Sequence, residues 1–384
     1  MRIGIAYDCC YPCTIGGAER WYRSLAEHLA RRGHEVEYLT LQAWPTGTPP
    51  SMAGVSVASL GARWTHNDHR VRLANAVRFQ RALASHVAAN PDRYDVIHTS
   101  CLPYVTMPAL SAAASRSSSV LVVDWWEVLS ETWWRTTGGM LGARAGERAQ
   151  ERAARVDHIP LAYAELHASR LRSLRPLRDP VRISGIYEES VAARPTDAPE
   201  PYVVYAGRLT ADKQVERLIP ALELARVARP ELGLRIIGDG PERDRLAHLI
   251  DASAARGAIS FSGFVDEAQL SSTLAGATAM VLPSAREGYG LIVLDAISRG
   301  TPAVVARGAE SAATERIVAG VNGVIAPSAD PRDLAAAMLA VISAGDDLRR
   351  STHTWWAANR TELLIDHGAD EIISVYEHAR DLRR

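Results

Sequence analysis

Hydrophobic and polar positions follow two alternating patterns along the whole chain. Short runs rich in Val, Ile and Leu, typical of buried strands, alternate with longer segments whose apolar residues recur every third or fourth position, typical of helices. The first half contains predicted strands at Arg2–Tyr7, Glu35–Leu41, Val55–Leu60, Asp95–Thr99, Val120–Asp124 and His158–Ala162. The second half contains predicted strands at Tyr202–Gly207, Leu234–Gly238, Ile259–Gly263, Ala279–Pro283, Pro302–Ala306 and Gly323–Ala326.

Helices are predicted between these strands, including Ala18–Arg32, Arg72–Ala89, Val215–Ala228, Glu242–Arg256 and Asp330–Ala344. Strands alternating with helices predict an α/β protein with parallel sheets covered on both faces. Two such series in a row predict two doubly wound, Rossmann-like domains, at residues 1–190 and 200–354. Glu189–Pro201, rich in Pro, Ala and acidic residues, is predicted to be the linker. Residues 355–384 form a helical pattern after the second sheet, and we expect it to cross back to the first domain.

Composition narrows the class of protein. A chain of 384 residues is too long for one ordinary core, which agrees with two domains. The net charge of −1 gives no sign of a nucleic-acid partner. No apolar run is long enough to span a membrane, and the opening MRIGIAYD lacks the features of a signal peptide. We therefore expect a cytoplasmic protein, and the composition leaves a homo-oligomer open.

Two residue types are unusual in their distribution. Cys10 and Cys13 have the spacing of a redox or metal pair, but no second pair follows, so packing and loop roles are favoured for them and for Cys9 and Cys101. The 43 basic residues include one lysine, Lys213, and so 42 arginines. A chain that avoids lysine this strongly draws attention to the one position that keeps it.

Candidate binding residues follow the strands, and ligands of open parallel sheets lie at the carboxyl ends of strands. Gly16 and Gly17 precede a helix, so they form either a tight turn or a place where an anion meets free backbone N–H groups. Arg208 and Lys213 follow Gly207. The planar guanidinium of the arginine and the compact ammonium of the lysine could together hold a diphosphate. The alternative is two solvated surface charges.

Two further loops carry glycines and acids. Gly238 opens the turn GDGP, which either is ordinary turn chemistry or leaves room for a base or ribose. Glu287 precedes Gly288, Tyr289 and Gly290, and a helix is predicted from Leu291 to Arg299, with Asp295 inside it. A buried, unpaired carboxylate is costly, so both acids are expected to have polar partners.

These stretches resemble a known family. YAGRLTADKQVERLI, IIGDGPERDRL, FSGFVDEAQL and LPSAREGYGLIVLDAISRGTPAVV, together with the N-terminal Gly-Gly loop, occur in the order and spacing of the retaining GT-B glycosyltransferases with an E-x7-E motif, the sucrose- and glycogen-synthase-like class. The resemblance implies two Rossmann-like domains facing across a cleft, with a nucleotide-sugar donor held mainly by the second. It also implies retention of anomeric configuration without a covalent intermediate. The chain has no D-x-D motif, so no metal or other cofactor is expected.

The resemblance assigns roles to individual residues. Arg208 and Lys213 would bind the diphosphate, Glu287 would accept hydrogen bonds from the donor sugar, and Phe264 and Val265 would line the base pocket. Asp295 stands where the family usually has glutamate, so its contact with the ribose would be looser or bridged by water. The predicted donor site comprises Gly16, Gly17, Gly207, Arg208, Lys213, Gly238, Val265, Glu287, Gly288, Tyr289, Gly290, Leu291 and Asp295, and the predicted catalytic residues are Glu287, Arg208, Lys213 and His98.

The acceptor side rests on the segment VVDWWEVLSETWWRT. Asp124, Trp125, Trp126 and Glu127 are predicted to form an aromatic, acidic wall for a small acceptor, although packing of the tryptophans is the favoured explanation. Tryptophan faces bind quaternary ammonium groups, so a betaine or thiol acceptor such as ergothioneine fits this wall. His98 would orient a ligand or would be a core histidine, and the loop residues His66 and His69 have a similar, weaker claim.

The predicted function is a hexosyltransferase-type enzyme that moves a sugar from a UDP- or GDP-sugar to a small polar acceptor in specialised-metabolite (antibiotic) biosynthesis. The runner-up is a membrane-surface enzyme with a lipid or polysaccharide acceptor, because Arg70–Arg81 is a basic helical pattern. A sugar-nucleotide epimerase or a phosphorylase-like GT-B enzyme is a further alternative, and the Glu287 motif and the lack of a cofactor-lysine context argue against the phosphorylase. The intact set of Arg208, Lys213 and Glu287 argues against a binding module that has lost its chemistry.

Overall fold

The computed structural model describes residues 1–14, 16–45, 47–63, 69–189 and 200–382. The chain divides into two units, one made of Met1–Glu188 with Glu362–Arg384 and the other of Glu189–Thr361. Most of the predicted linker, residues 190–199, lies outside the described residues, and Glu200 already begins a strand. Within the described ranges, no helix is both long enough and apolar enough to cross a membrane.

The first unit is a Rossmann-like sheet with helices in the connections. Its elements are β1 Arg2–Ala6, α1 Gly17–Arg31, β2 Glu35–Gln42, β3 Val55–Ala62, α2 His69–Ala89, β4 Val96–Ser100, α3 Met107–Ser115, β5 Val120–Asp124, α4 Glu131–Ala154, β6 Ile159–Ala162, α5 Glu165–Ser173 and β7 Val181–Arg182. The described strands form one parallel sheet in the order β3-β2-β1-β4-β5-β6-β7. Every residue of β4 and β5 is buried, as expected for strands covered on both faces.

The second unit repeats this architecture. Its elements are β8 Glu200–Ala206, α6 Leu218–Arg226, β9 Gly233–Ile237, α7 Arg243–Asp251, β10 Ile259–Ser262, α8 Glu267–Gly276, β11 Ala277–Leu282, β12 Arg286–Glu287, α9 Leu291–Ile297, β13 Ala303–Ala306, β14 Glu310–Ser311, β15 Gly323–Ala326 and α10 Pro331–Leu363. The main sheet has the order β10-β9-β8-β11-β13-β15, and β12 pairs with β14 in a small parallel sheet. Each unit is therefore doubly wound, as the sequence predicts.

The C-terminal residues belong to the first unit. Helix α11, Ile365–Asp381, packs against α1 and β5, and Tyr187 forms a bridge with Leu364. The backbone at Gly185 lies so close to that at Leu364 that a Cβ added to the glycine would be 2.2 Å from the Leu364 carbonyl oxygen. The chain thus returns to the first sheet after completing the second.

Several predicted helices differ from the observed ones in their limits. The predicted helix Val215–Ala228 begins as a 3-10 turn at Val215–Arg217 and becomes α-helical only in α6. Helix α7 is shorter than predicted. Helix α10 is longer, and it continues past a kink at Gly345, where φ is +53°. The C-terminal pattern is two helices, because Leu364, with extended backbone, separates α10 from α11. The predicted strands agree within a few residues, because apolar runs define them more sharply than periodicity defines helix ends.

Candidate active site

The candidate donor site begins where the strand order of the second sheet reverses. Strands β8 and β11 are neighbours in the sheet but are separated in sequence, so their following helices lie on opposite faces. The loops after such a pair diverge, and the crevice between them is where open α/β sheets bind ligands. The loop after β8 carries Arg208 and Lys213, and the loop after β11 carries Glu287.

An ion pair joins the two loops. The Lys213 ammonium donates to Glu287 Oε2 at 2.7 Å and to the Arg286 carbonyl oxygen at 3.0 Å. The side chains are only 13% and 22% exposed, respectively, so neither group is a solvated surface charge. The other carboxylate oxygen of Glu287, Oε1, accepts no hydrogen bond from the described residues. The one lysine of the chain therefore makes this contact.

One backbone hydrogen bond joins the two loops, and one side-chain hydrogen bond holds the loop after β8 against its strand. The Ala285 N–H donates to the Asp212 carbonyl oxygen at 2.9 Å, and the Tyr205 hydroxyl donates to the Arg208 carbonyl oxygen at 2.9 Å. Burial, together with the nearby Glu287 carboxylate, raises the pKa of Tyr205 well above its ordinary value, so its hydroxyl stays protonated. The positions of the charged groups are therefore fixed by contacts that do not involve a ligand.

The second predicted cation differs from the first. Arg208 is exposed, and its guanidinium makes no hydrogen bond or ion pair within the part of the chain that the structure describes. Lys213 ends the 3-10 turn Ala211–Lys213, and Gln214 follows in the left-handed conformation. This turn directs the Lys213 side chain toward Glu287 on the neighbouring loop.

Gly207 and Gly238 meet at the carboxyl ends of β8 and β9. Gly238 has φ of +145°, and a Cβ there would lie 1.9 Å from the Gly207 carbonyl oxygen. Any side chain at position 238 would therefore displace the backbone of the loop after β8. Packing alone requires this glycine, and its part in a base or ribose pocket stays a prediction.

The segment from Glu287 to Asp295, which corresponds to the E-x7-E motif, is closely packed. Gly290 precedes α9 with φ of +92°, and Tyr289 is buried beneath the Arg316 guanidinium, which lies 4.3 Å from its ring centroid. The helix itself ends at Ile297, earlier than predicted, and it places Leu291 at its first position. Gly288 connects Glu287 to this segment and is half-buried.

Asp295, in the second turn of α9, has the polar partner that its position requires. Its Oδ1 lies 3.6 Å from Arg299 Nη1, and its side chain is 27% exposed. The same guanidinium group donates to the Asp295 carbonyl oxygen at 2.6 Å. The partial exposure leaves the carboxylate accessible, and its contact with a ribose stays a prediction.

The residues predicted to line the base pocket are accessible. Phe264 is 70% exposed, and Val265 is half-buried just before α8. Asp266 caps α8 by accepting a hydrogen bond from the Gln269 N–H at 2.8 Å. An exposed phenylalanine beside an ordered helix cap offers a flat apolar face that the unit itself leaves uncovered.

Gly16 and Gly17 lie in the first unit, whereas the other predicted donor residues lie in the second. Gly16 is the N-cap of α1, and a Cβ there would lie 2.3 Å from Glu19 Oε2. The preceding loop contains three cysteines, all free: Cys9 and Cys10 are buried and Cys13 is exposed. Burial raises the pKa of Cys9 to about 12 and that of Cys10 to about 11.

His98 is a core residue. It lies in the middle of β4 rather than at its end, it is fully buried, and both ring nitrogens are occupied. Its Nε2 is 2.6 Å from Asp124 Oδ1 and its Nδ1 is 2.5 Å from the Tyr376 hydroxyl. This placement fits the core alternative, and a catalytic role for His98 stays a prediction.

Asp124 is the centre of this buried cluster. It is fully buried at the end of β5 and also accepts hydrogen bonds from Tyr163 at 2.5 Å and from Trp21 Nε1 at 3.3 Å. Three side chains, those of Trp21, His98 and Tyr163, therefore contact one carboxylate, and Tyr376 contacts it indirectly through His98. The sequence predictions missed Trp21, Tyr163 and Tyr376, since partners this far apart in the chain leave no local motif.

The predicted aromatic wall divides into core and partly accessible residues. Trp125 is fully buried, stacks on Tyr104 and donates to His158 Nε2 at 3.0 Å, so its placement fits packing. Trp126 is half-buried and stacks on Tyr163, with ring centroids 4.0 Å apart, and its indole N–H has no partner among the described residues. Glu127 is half-buried. His66 and the side chain of His69 lie outside what is described.

The sequence matches two family models that together account for most of the chain. Residues 16–184 match the Glycosyl transferase 4-like domain, and residues 187–353 match Glycosyl transferases group 1. A glycogen synthase of Mycobacterium tuberculosis is 36% identical over 156 residues, which are 41% of this chain and 36% of that protein. The chain therefore spans about a third of that relative's length.

Two other relatives align over more of their own length. An uncharacterized glycosyltransferase of Methanocaldococcus jannaschii is 25% identical over 77% of both chains. A 2-deoxystreptamine N-acetyl-D-glucosaminyltransferase of Streptomyces fradiae is 27% identical over 61% of this chain and 53% of that protein.

Solved structures agree on the fold. Sucrose-phosphate synthase of Thermosynechococcus elongatus superposes with a TM-score of 0.78 at 16% identity, covering 98% of each chain. Anabaena HepE in complex with UDP-glucose superposes with a TM-score of 0.74 at 17% identity, covering 98% of this chain and 100% of that one. With the two family matches, these findings show that the chain belongs to the group 1 glycosyltransferases, a retaining family with the GT-B fold.

Proposed function

We propose that the protein transfers a sugar from a nucleotide-sugar, most simply a UDP- or GDP-sugar, to an acceptor with retention of configuration. The observation that carries the proposal is the Lys213–Glu287 pair at the carboxyl ends of β8 and β11. A cation and a carboxylate at a topological switch point suit the two groups joined by the scissile bond. One end becomes an anionic diphosphate, and the other is a sugar rich in hydroxyl groups.

The chemistry follows from the charges that develop. Cleavage of the bond between sugar and diphosphate places negative charge on the leaving phosphate and positive charge on the anomeric carbon. Arg208, exposed and without an ion pair in the described structure, and Lys213 would stabilise the leaving group. Glu287 Oε1, which accepts no hydrogen bond from the described residues, would accept one from a sugar hydroxyl. No side chain needs to form a bond to the sugar.

We propose a small polar acceptor, bound by the first unit. Two features support this: the half-buried Trp126, whose N–H has no partner among the described residues, and the neighbouring half-buried Glu127. The S. fradiae relative is named for transfer to 2-deoxystreptamine, a small polar molecule, which favours a role in antibiotic biosynthesis. A betaine or thiol acceptor such as ergothioneine would bind against the indole ring of Trp126, opposite the face that stacks on Tyr163.

A lipid acceptor at a membrane surface is the second candidate. Three apolar side chains are 46–66% exposed: Leu73 on α2, Leu102 before the 3-10 turn Tyr104–Thr106, and Val105 within it. Helix α2 packs against that turn. A relative in M. tuberculosis is named as a phosphatidylinositol dimannoside mannosyltransferase. Sedimentation with anionic vesicles separates the candidates, because only the second predicts that Leu102→Asp and Val105→Asp lose vesicle binding.

Donor turnover tests the proposal. The protein is incubated with UDP-glucose, UDP-N-acetylglucosamine or GDP-mannose and a mixture of aminocyclitols, betaines and polar lipids. Release of nucleoside diphosphate and a product whose NMR coupling keeps the donor's anomeric configuration are expected. A product of inverted configuration would contradict the mechanism, and no turnover with any donor would contradict the activity.

A further inference from the structure

Three buried hydroxyl groups in or next to the segments that carry Lys213 and Glu287, those of Thr210, Ser284 and Ser311, have no partner among the described residues. Ser284 follows β11 and is 2% exposed, and Ser311 lies on β14 and is 4% exposed. Serine hydroxyls buried in a protein are normally hydrogen-bonded. Three exceptions within the segments that build the donor site call for an explanation.

The small sheet of β12 and β14 places one of them next to Glu287. In this parallel pair Glu287 is the register partner of Ser311, and the Ala312 N–H donates to the Glu287 carbonyl oxygen at 2.8 Å. Register partners on adjacent strands direct their side chains to the same face of the sheet. The Ser311 hydroxyl and the Glu287 carboxylate therefore share one face.

The partners of Glu287 must change when a donor binds. In the structure its Oε2 is held by the Lys213 ammonium, and Oε1 has no partner among the described residues. A diphosphate carries more charge than a carboxylate and competes for the same ammonium. As Lys213 turns to the diphosphate, the half-buried carboxylate needs another donor to keep its place.

We propose that Ser311 is a positioning residue for Glu287. Its hydroxyl donates to the carboxylate when Lys213 engages the diphosphate, and it keeps Glu287 aimed at the hydroxyl groups of the donor sugar. The inference rests on the proposed function of the site. It adds that the sugar and the nucleotide are recognised through separable contacts, with Ser311 serving the sugar alone.

The experiment compares Ser311→Ala with Ser284→Ala, since both changes remove a buried, unpartnered hydroxyl. Dissociation constants are measured for UDP and UDP-glucose, and for GDP and GDP-mannose, alongside melting temperatures without ligand. For Ser311→Ala we expect affinity for the bound nucleotide-sugar to fall about tenfold, while affinity for the matching nucleoside diphosphate is unchanged. Ser284→Ala should bind both as the wild type does.

Each other outcome counts against the inference. Equal loss for the sugar-free diphosphate, or no loss for the nucleotide-sugar, overturns the role of Ser311 while leaving the proposed function intact. A Ser311→Ala protein that melts well below the wild type without ligand assigns the serine to folding instead. Failure of the wild type to bind any of the four compounds overturns the proposed function and, with it, this inference.

Discussion

The two units each contain a conspicuous carboxylate, and the surroundings of the two groups are opposite. Asp124 of the first unit is fully buried, and its carboxylate contacts polar groups of three other residues, Trp21, His98 and Tyr163. Glu287 of the second unit is 22% exposed and has one engaged oxygen. The sequence motifs make both look like site residues. Their hydrogen-bond partners distinguish the two roles. A carboxylate whose hydrogen bonds are all made within the protein stabilises the fold, whereas a carboxylate with one oxygen that accepts no hydrogen bond can still bind a ligand.

The largest effect is expected on turnover from Lys213→Ala. Loss of the ammonium that stabilises the leaving diphosphate should lower kcat about 1000-fold. The alanine also leaves the half-buried Glu287 carboxylate without its donor, so the melting temperature should fall by several degrees while the protein still folds. Arg217→Ala removes an exposed cation four residues further on and serves as the control. Wild-type turnover in Lys213→Ala would remove the lysine from the site, and Glu287→Ala is expected to behave as Lys213→Ala does.

The reverse pattern is expected for Asp124→Ala. Removing the carboxylate leaves the donors of His98 and Tyr163 unpaired in the core, so the free energy of unfolding should fall by about 3–5 kcal/mol. Urea denaturation measures this. Asp370→Ala, whose side chain is 57% exposed and pairs with Arg32, should cost less than about 1 kcal/mol. A cost for Asp124→Ala as small as that of the control would mean that the cluster is not structural.

A smaller effect is expected from Arg208→Ala. Because the guanidinium has no partner in the described structure, its loss should leave stability unchanged while weakening the binding of a nucleoside diphosphate about tenfold. Isothermal titration of UDP or GDP measures this. Arg245, exposed and on α7, provides the control. Unchanged affinity in Arg208→Ala would assign the arginine to the solvated surface.

The smallest effect concerns the thiols of the first unit. Burial raises the pKa of Cys9 to about 12 and of Cys10 to about 11, so at pH 8 almost none of either is thiolate. Cys13 is exposed, and we expect iodoacetamide to modify it first, as peptide mass spectrometry would show. Labelling of Cys9 or Cys10 at the rate of Cys13 would indicate that the loop after β1 is open.

Much of the fold could be predicted because buried parallel strands are continuous apolar runs. The same feature limited the prediction of the site. Asp124 ends such a run, and nothing in VVDWW shows whether the acid faces solvent or the core. The contact between Lys213 and Glu287 spans 74 residues, so the motifs could mark both residues but could not show that they pair. Ser311 carried no signal, because its importance depends on the register of two short strands.

The central claim is that the second unit binds a nucleotide through Lys213. The most direct measurement is a thermal-shift comparison of wild type and Lys213→Ala with UDP, GDP, ADP and TDP, each in magnesium and in EDTA. A ligand that binds only the native state raises the melting temperature. We expect at least one nucleotide to do so for the wild type in EDTA, with a clearly smaller shift in Lys213→Ala. If none of the four raises the melting temperature in either buffer, or if the variant shifts as much as the wild type, the account of this site is wrong.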